Sequence, residues 1–204
     1  MIFEACVETP EEALLAWKRG AHRLELCSRL DLDGLTPTVE MVRKVCSEVN
    51  IPVMVMIRPR PGDFTCTDEE LDVFKEQIAE AGEAGAAGVV FGLLTRDNRI
   101  DIPRTTQLAE WAGSLEVTFH KAVDQLDDPV EGVRILKKIK GIRRILTSGG
   151  KETAEQGAQV IREMIHTTAG QIIIVAAGRI TLENRMKIAS LTGAAELHGR
   201  RIVG

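Results

Sequence analysis

Short apolar runs recur along this chain at intervals of roughly 20 to 35 residues, and that spacing constrains the fold more than any other feature. They begin near Ile2, His22, Pro52, Ala87, Leu115, Arg143, Gln171 and Ala195. Between most of them lies an amphipathic segment opened by residues suited to start a helix: Thr9-Pro10, Thr36-Pro37, Thr67-Asp68, Asp101 to Pro103, Asp128-Pro129 and Thr181. Eight strand–helix units in series predict an α/β fold, a parallel sheet closed into a TIM-type (β/α)8 barrel in preference to an open doubly wound sheet. The 204 residues are enough for one such barrel, and no linker or low-complexity stretch divides them, so a single domain over residues 1–204 is expected. Only about six residues follow the eighth strand, so its helix is expected to be shortened or absent. The wall between strands 8 and 1 is then open unless a partner subunit or another helix covers it.

Successive side chains of a strand point to opposite faces, which sorts each run into two sets. Phe3 and Ala5 oppose Ile2, Glu4 and Cys6, while Leu24 and Leu26 oppose Arg23, Glu25 and Cys27. Val53, Val55 and Ile57 oppose Met54, Met56 and Arg58; Val117 and Phe119 oppose Thr118 and His120; Leu197 opposes Glu196 and His198. The apolar sets suit the helix layer. The other sets then line the barrel, with their polar members late in the strands, where barrel active sites are built. In VTFHKAVD, His120 is the last inward residue of a strand, and Lys121 and Asp124 begin the rim loop.

Gathering Glu4, Glu25, Arg58, His120 and His198 in one barrel mouth is costly unless they pair with one another or meet a ligand. Such neighbours also shift one another's proton affinities, which suits general acid–base work with a carboxylate or His120 as base. A structural ion network of Arg58 with Glu4 and Glu25 is the competing reading. Cys6 and Cys27 end adjacent strands about 5 Å apart, close enough for both sulfurs to reach a common atom. Two thiols suit Cu(I), and the nearby carboxylates and imidazoles suit Zn(II) or Cu(II) better. Simple packing competes here, because free cysteine is among the most buried residue types.

Cys46 shares a helical face with Val42 and Val49, Cys66 in FTCTDEE is expected to be exposed, and Met54 and Met56 read as core filling. The turns Ser148 to Gly150 and Ala176 to Ile180, after strands 6 and 7, are candidate anion cradles through Ser148, Gly149 and Gly178, with charge added by Arg58 and Arg60. Glu116, at the start of its strand, reads as structural; surface or capping roles suffice for His22 and His166.

Composition narrows the partners. A net charge of −4, no basic run and 3% aromatic residues give nucleic acid neither an electrostatic stripe nor a stacking platform. No apolar stretch approaches a membrane span, and the chain opens on a strand-like IFEACV instead of a secretory leader, so a cytoplasmic protein is expected. Cysteines at 6, 27, 46 and 66 form neither a disulfide framework nor a CxxC metal pair.

The runs FEACVET, HRLELCS, GLTPT, VMIRPRPGDF, GVVFGLLT, VTFHKAVD and ILTSGG, in this order and spacing, resemble the CutC copper homeostasis family over essentially the whole chain. The resemblance implies a cytoplasmic TIM barrel, a homodimer or larger, with a part in copper tolerance and Cu(I) bound by residues matching Cys6 and Cys27. It implies pocket residues matching Glu4, Glu25, Arg58, His120, Asp124 and His198. The chain departs from the family's pattern at Lys121 and Val123, at Ala176 to Ile180 where a Gly-rich run is usual, and at Asp33 where glycine is usual. Two readings stay open: a copper carrier or buffer, and an enzyme acting on a small anionic metabolite. In the second, Arg58 orients the substrate, His120 and Asp124 serve as acid and base, and Glu4 and Glu25 bind a divalent metal or polarise the substrate.

Overall fold

The computed structural model describes residues 1–204, whose eight parallel strands form a closed barrel in sequence order. They are β1 (Ile2–Val7), β2 (Arg23–Leu26), β3 (Val53–Met56), β4 (Gly88–Phe91), β5 (Glu116–Phe119), β6 (Ile142–Thr147), β7 (Ile173–Ala176) and β8 (Glu196–Gly199). Seven helices connect them: α1 (Pro10–Lys18), α2 (Val39–Glu48), α3 (Asp68–Glu83), α4 (Ile102–Ala112), α5 (Pro129–Leu136), α6 (Ala158–Thr168) and α7 (Arg185–Thr192). The result is the expected TIM barrel. No helix is long and apolar enough to cross a membrane.

Most of the expected helix starts are real caps. Thr9 Oγ1 accepts from Glu12 N (3.2 Å), Thr67 and Glu70 form a capping box, and Asp101 and Asp128 accept from the first turns of α4 and α5. Two starts lie elsewhere. Thr36 is drawn off by other partners, accepting from Arg58 N (2.8 Å) and donating to Gln77 (2.7 Å), so Thr38 caps α2 instead. Thr181 bridges to Arg201 beyond β8, and α7 begins only at Arg185.

No helix follows β8. Residues 200–204 run beside the loop before α7, with Leu182 N donating to Arg201 O and Arg185 donating to Ile202 O. The Arg185 guanidinium lies 4.0 Å over the Phe3 ring and covers part of the outer face of β1, while Leu15 and Met186 stay exposed.

The barrel separates two apolar regions. A continuous core lies between sheet and helices and holds the outward sets, Ala5, Leu24, Val55, Phe119 and Leu197 among them. Cys66 belongs to this core as well, a correction to its expected exposure: the loop before α3 folds it inward, where burial pushes its thiol up to about 11. Inside the barrel, Cys6, Cys27, Met54, Met56 and Val90 form one small cluster, and Leu146, Val175 and Ala177 another. Gly88 of β4 has no side chain because the Met54 side chain and the Glu116 carbonyl occupy the place a Cβ would take.

Beneath these clusters the interior is ionic. Arg23 donates to Glu4 and, at 2.6 Å, to Glu196; Arg144 donates to Glu196 (3.1 Å) and to Glu116 (2.5 Å). The network expected around Arg58 is therefore made by Arg23 and Arg144. Register explains the difference: Arg23 stands directly across from Glu4 in the β1–β2 pairing, whereas Arg58 lies beyond the end of β3, at the rim. Burial alone would raise the Glu4 carboxyl, but hydrogen bonding to His198 and the charge of Arg23 outweigh it and hold it at about 2.

Removing one member strands the others, since an unpaired buried charge costs far more than the pair gains. Arg23→Met is expected to lower the free energy of unfolding by about 3–5 kcal/mol in urea denaturation at neutral pH. Arg29→Ala, which removes only an exposed pair with Asp31, should leave the denaturation midpoint in place. Equal losses in the two variants would deny the network any special part in the fold.

Candidate functional site

Strand register assembles the floor of the barrel mouth. Cys6 of β1 stands across from Glu25 of β2, and Cys27 follows Glu25 by two residues, so both point inward and upward on one seam. The sulfurs of Cys6 and Cys27 and a carboxylate oxygen of Glu25 lie within 4.8 Å of one another, as do ligand atoms of Glu4, Glu25 and His198. His198 Nδ1 is 2.8 Å from Glu4 and its Nε2 is 3.6 Å from Glu25, while the Cys27 sulfur lies 3.7 Å from Glu25. One oxygen of Glu25 is buried without any partner. That is an unusual state for a carboxylate, and it marks a place where a proton or an ion completes the site.

The proton affinities on this floor are pushed far apart. A hydrogen bond from Cys27 stabilises the Cys6 thiolate against the cost of burial, and with the charge of His198 it brings the thiol down to about 5. Cys27, the donor in that bond and fully buried, moves well above the usual thiol range. Burial, joined by the charges of Cys6 and Glu4, lifts Glu25 to about 8, and the acidic groups around His198 override burial to keep it protonated. At neutral pH the floor holds a thiolate, a thiol, a neutral carboxyl and an imidazolium.

His120 and Arg58 belong to a different wall. His120 Nδ1 accepts from Ala122 N (3.2 Å), capping the 3-10 turn over Lys121–Gln125, and its ring lies 4.8 Å from that of Phe64. Burial and the charge of Arg58 bring it down to about 3, so it is a neutral imidazole whose remaining nitrogen carries the hydrogen. Gly92, which sequence reasoning passed over, makes room for it: a Cβ there would sit 2.5 Å from His120 Nδ1. Its place just after β4, at the level of His120, was the available signal. Arg58 donates to the carbonyls of Leu32 (3.0 Å), Gly34 (3.2 Å) and Gly62 (2.8 Å) and lies over Phe64, so it ties two rim loops together and touches neither Glu4 nor Glu25. Arg60 is held by Glu70 and Asp63.

Asp124 is not the partner of His120. Its carboxylate accepts from Thr147 Oγ1 (2.5 Å), Ser148 N and Oγ (both 2.9 Å) and Gly150 N (2.8 Å). The cradle expected at Ser148 and Gly149 thus already contains an anion, supplied by the chain itself, and Gly149 N donates to Thr147. Gly178 serves close packing: a Cβ would fall 2.9 Å from both Ala154 N and Ser148 Cβ.

The loop after β2 roofs Cys27. Arg29, Asp33 and Gly34 all have positive φ (49°, 64° and 86°), which turns the loop back so that Leu30 packs on the sulfur cluster. Asp33 takes up the left-handed conformation that glycine adopts without strain. Above the floor opens a cleft of about 590 Å³, with Met56, Phe64, Leu146 and Ala177 among its apolar lining residues and Lys121, Lys151, Arg179 and Arg200 among its exposed basic ones.

Comparison with known proteins places this geometry. A model of the CutC family matches residues 1–203. A human relative named copper homeostasis protein cutC homolog is 41% identical over 197 residues, 97% of this chain and 72% of its own. A CutC family protein of Histophilus somni is 38% identical over 198 residues, covering 97% and 81%. The solved structure of a CutC protein from Streptococcus agalactiae superposes with a TM-score of 0.90 at 31% identity over 99% of both chains. An aldolase superposes at 0.74 with 15% identity over 100% of this chain and 90% of its own, a likeness of fold alone.

The separated thiols generate a test. Cys6 lines the cleft and is a thiolate above about pH 5, whereas burial raises Cys46 and Cys66. Iodoacetamide at pH 6.5, followed by peptide mass mapping, is expected to label Cys6 first, with a rate that halves near pH 5. Uniform labelling of all four cysteines with a midpoint near 8.5 would contradict the thiolate.

Proposed function

Because this chain belongs to the CutC family, we propose that it binds Cu(I) at the floor of the cleft through Cys6 and Cys27, as a copper carrier or buffer. The observation that carries this reading is the sulfur-rich cluster of Cys6, Cys27, Met54 and Met56 inside an otherwise polar barrel floor. Soft thiolate and thioether ligands select Cu(I), and carboxylates and water suit harder ions. A carboxylate oxygen of Glu25 lies within 4.8 Å of both sulfurs and is a third donor or a proton acceptor for the site.

The surrounding residues do the positioning. Arg23 holds Glu4, Glu4 orients the His198 ring through Nδ1, and the other ring nitrogen faces Glu25 beside Cys6. The Leu30 loop and Val90 keep water from the sulfurs on two sides. Cys27 must give up a proton when a metal binds, so binding releases protons. The acid–base reading for His120 with Asp124 draws no support from the hydrogen bonding, because Asp124 is spent on the Ser148 loop and His120 is held neutral.

Anaerobic titration of Cu(I) against a competing chelator tests the proposal. The natural chain should bind one equivalent tightly, Cys6→Ser/Cys27→Ser should lose at least about a hundredfold in affinity, and Cys46→Ser/Cys66→Ser should match the natural chain. Retained affinity in the first double variant would overturn the thiol site, and preference for Zn(II) over Cu(I) in competition would reassign it.

A further inference from the structure

We infer that copper reaches the Cys6–Cys27 pair as a small anionic Cu(I)–thiolate complex docked in the cleft, not as a bare ion; this rests on the copper reading above. Two observations about the cleft, independent of the sulfurs, carry it.

The first is size. A bare ion needs no more room than a water molecule, about 30 Å³, while the cleft measures about 590 Å³, the range of organic ligand sites. Phe64 from the loop after β3, and Leu146 and Ala177 from the β6–β7 side, give an ion nothing and give the body of an organic molecule apolar surface to lie on.

The second is charge. The chain as a whole is negative, at −4, yet five basic side chains line the cleft against three acidic ones. The acidic ones do little to offset them. Asp124 is consumed by the Ser148 loop, Glu25 lies at the floor, and Asp33 acts on Arg58. Arg179 pairs with Glu152 and Arg200 lies 3.5 Å from Glu12, but Lys151 makes no ion pair and Lys121 comes no nearer than 3.9 Å to the occupied Asp124. A rim of that sign repels a free cation and draws in a molecule bearing several negative charges.

Transfer is then ligand exchange without redox change. A complex of Cu(I) with two small thiolates, of charge −1 at the metal, meets the Cys6 thiolate and the Cys27 thiol. Both Cu–S bonds to the carrier break and Cu–S bonds to Cys6 and Cys27 form. The single thiol proton, that of Cys27, passes to one departing thiolate, so one thiol and one thiolate leave, and the metal centre keeps its charge of −1.

Stopped-flow transfer of Cu(I) from two donors decides the matter, using mercaptosuccinate as a polyanionic carrier and acetonitrile as a cationic one. Lys121→Glu/Lys151→Glu should slow transfer from the mercaptosuccinate complex at least about tenfold, with the difference shrinking as salt is raised, and should not slow transfer from acetonitrile. Lys151→Glu alone, which disturbs no ion pair, should show the same pattern more weakly. Unchanged transfer from mercaptosuccinate, or equal slowing from both donors, would overturn the inference while leaving the thiol site standing. Capture of copper from either donor by Cys6→Ser/Cys27→Ser at the natural rate and affinity would overturn both.

Discussion

The pairing of Arg23 with Glu4 inside the barrel is the contact on which the rest of the site depends. It is the hinge between two layers: below, Arg23 continues through Glu196 to Arg144 and Glu116; above, Glu4 holds His198. A small parallel barrel must fill its interior with side chains, and this one fills its lower half with ions in place of branched aliphatics. That choice fixes the rotamers of the charged residues, since each guanidinium is forked between two carboxylates. The sulfur layer then rests on a floor that has few other arrangements open to it.

The same contact separates two chemically identical groups. Glu4 and Glu25 are both buried in the mouth and both lie near His198, yet one is held at about 2 and the other lifted to about 8. The difference is the neighbour: Glu4 has Arg23 against it, while Glu25 has Cys6 and Glu4, whose charges reinforce its burial. Two carboxyls made unlike by environment let one serve as a fixed anchor and the other as an adjustable member of the floor.

How much of this was legible in the sequence follows from what alternation encodes. It encodes which way a side chain points, so the inward placement of Glu4, Cys6, Glu25, Cys27, His120 and His198 could be read before any coordinates. It does not encode which neighbour is met. Arg58 and Arg23 both read as inward arginines, and only the register, with Arg23 across from Glu4 and Arg58 beyond the end of its strand, decides which one enters the network. Asp124 illustrates the same limit: the 3-10 turn capped by His120 swings its carboxylate into the Ser148 loop, a contact 24 residues away in the chain. Cys66 was misread because a polar local sequence says nothing about a loop that folds back on the core. The unusual residue at position 33 did carry information, since a residue that stands where glycine is usual sits at a positive φ.

Charge conservation ties the proposed ligand to the site that would take it. Glu4, Cys6, Glu25 and Cys27 are all buried, so net charge added among them bears a desolvation cost. A monovalent ion that displaces one thiol proton leaves the buried charge as it was, whereas a divalent ion adds a positive charge unless a second proton departs. The oxygen and nitrogen donors that would favour the divalent ion are also the ones least free to move: Glu4 is bound to Arg23 and His198 is bound to Glu4. Softness of the ligands and constancy of charge therefore act in the same direction, and the ionic network of Arg23, Glu4 and Glu196, which contributes no ligand, is what makes the second of them effective.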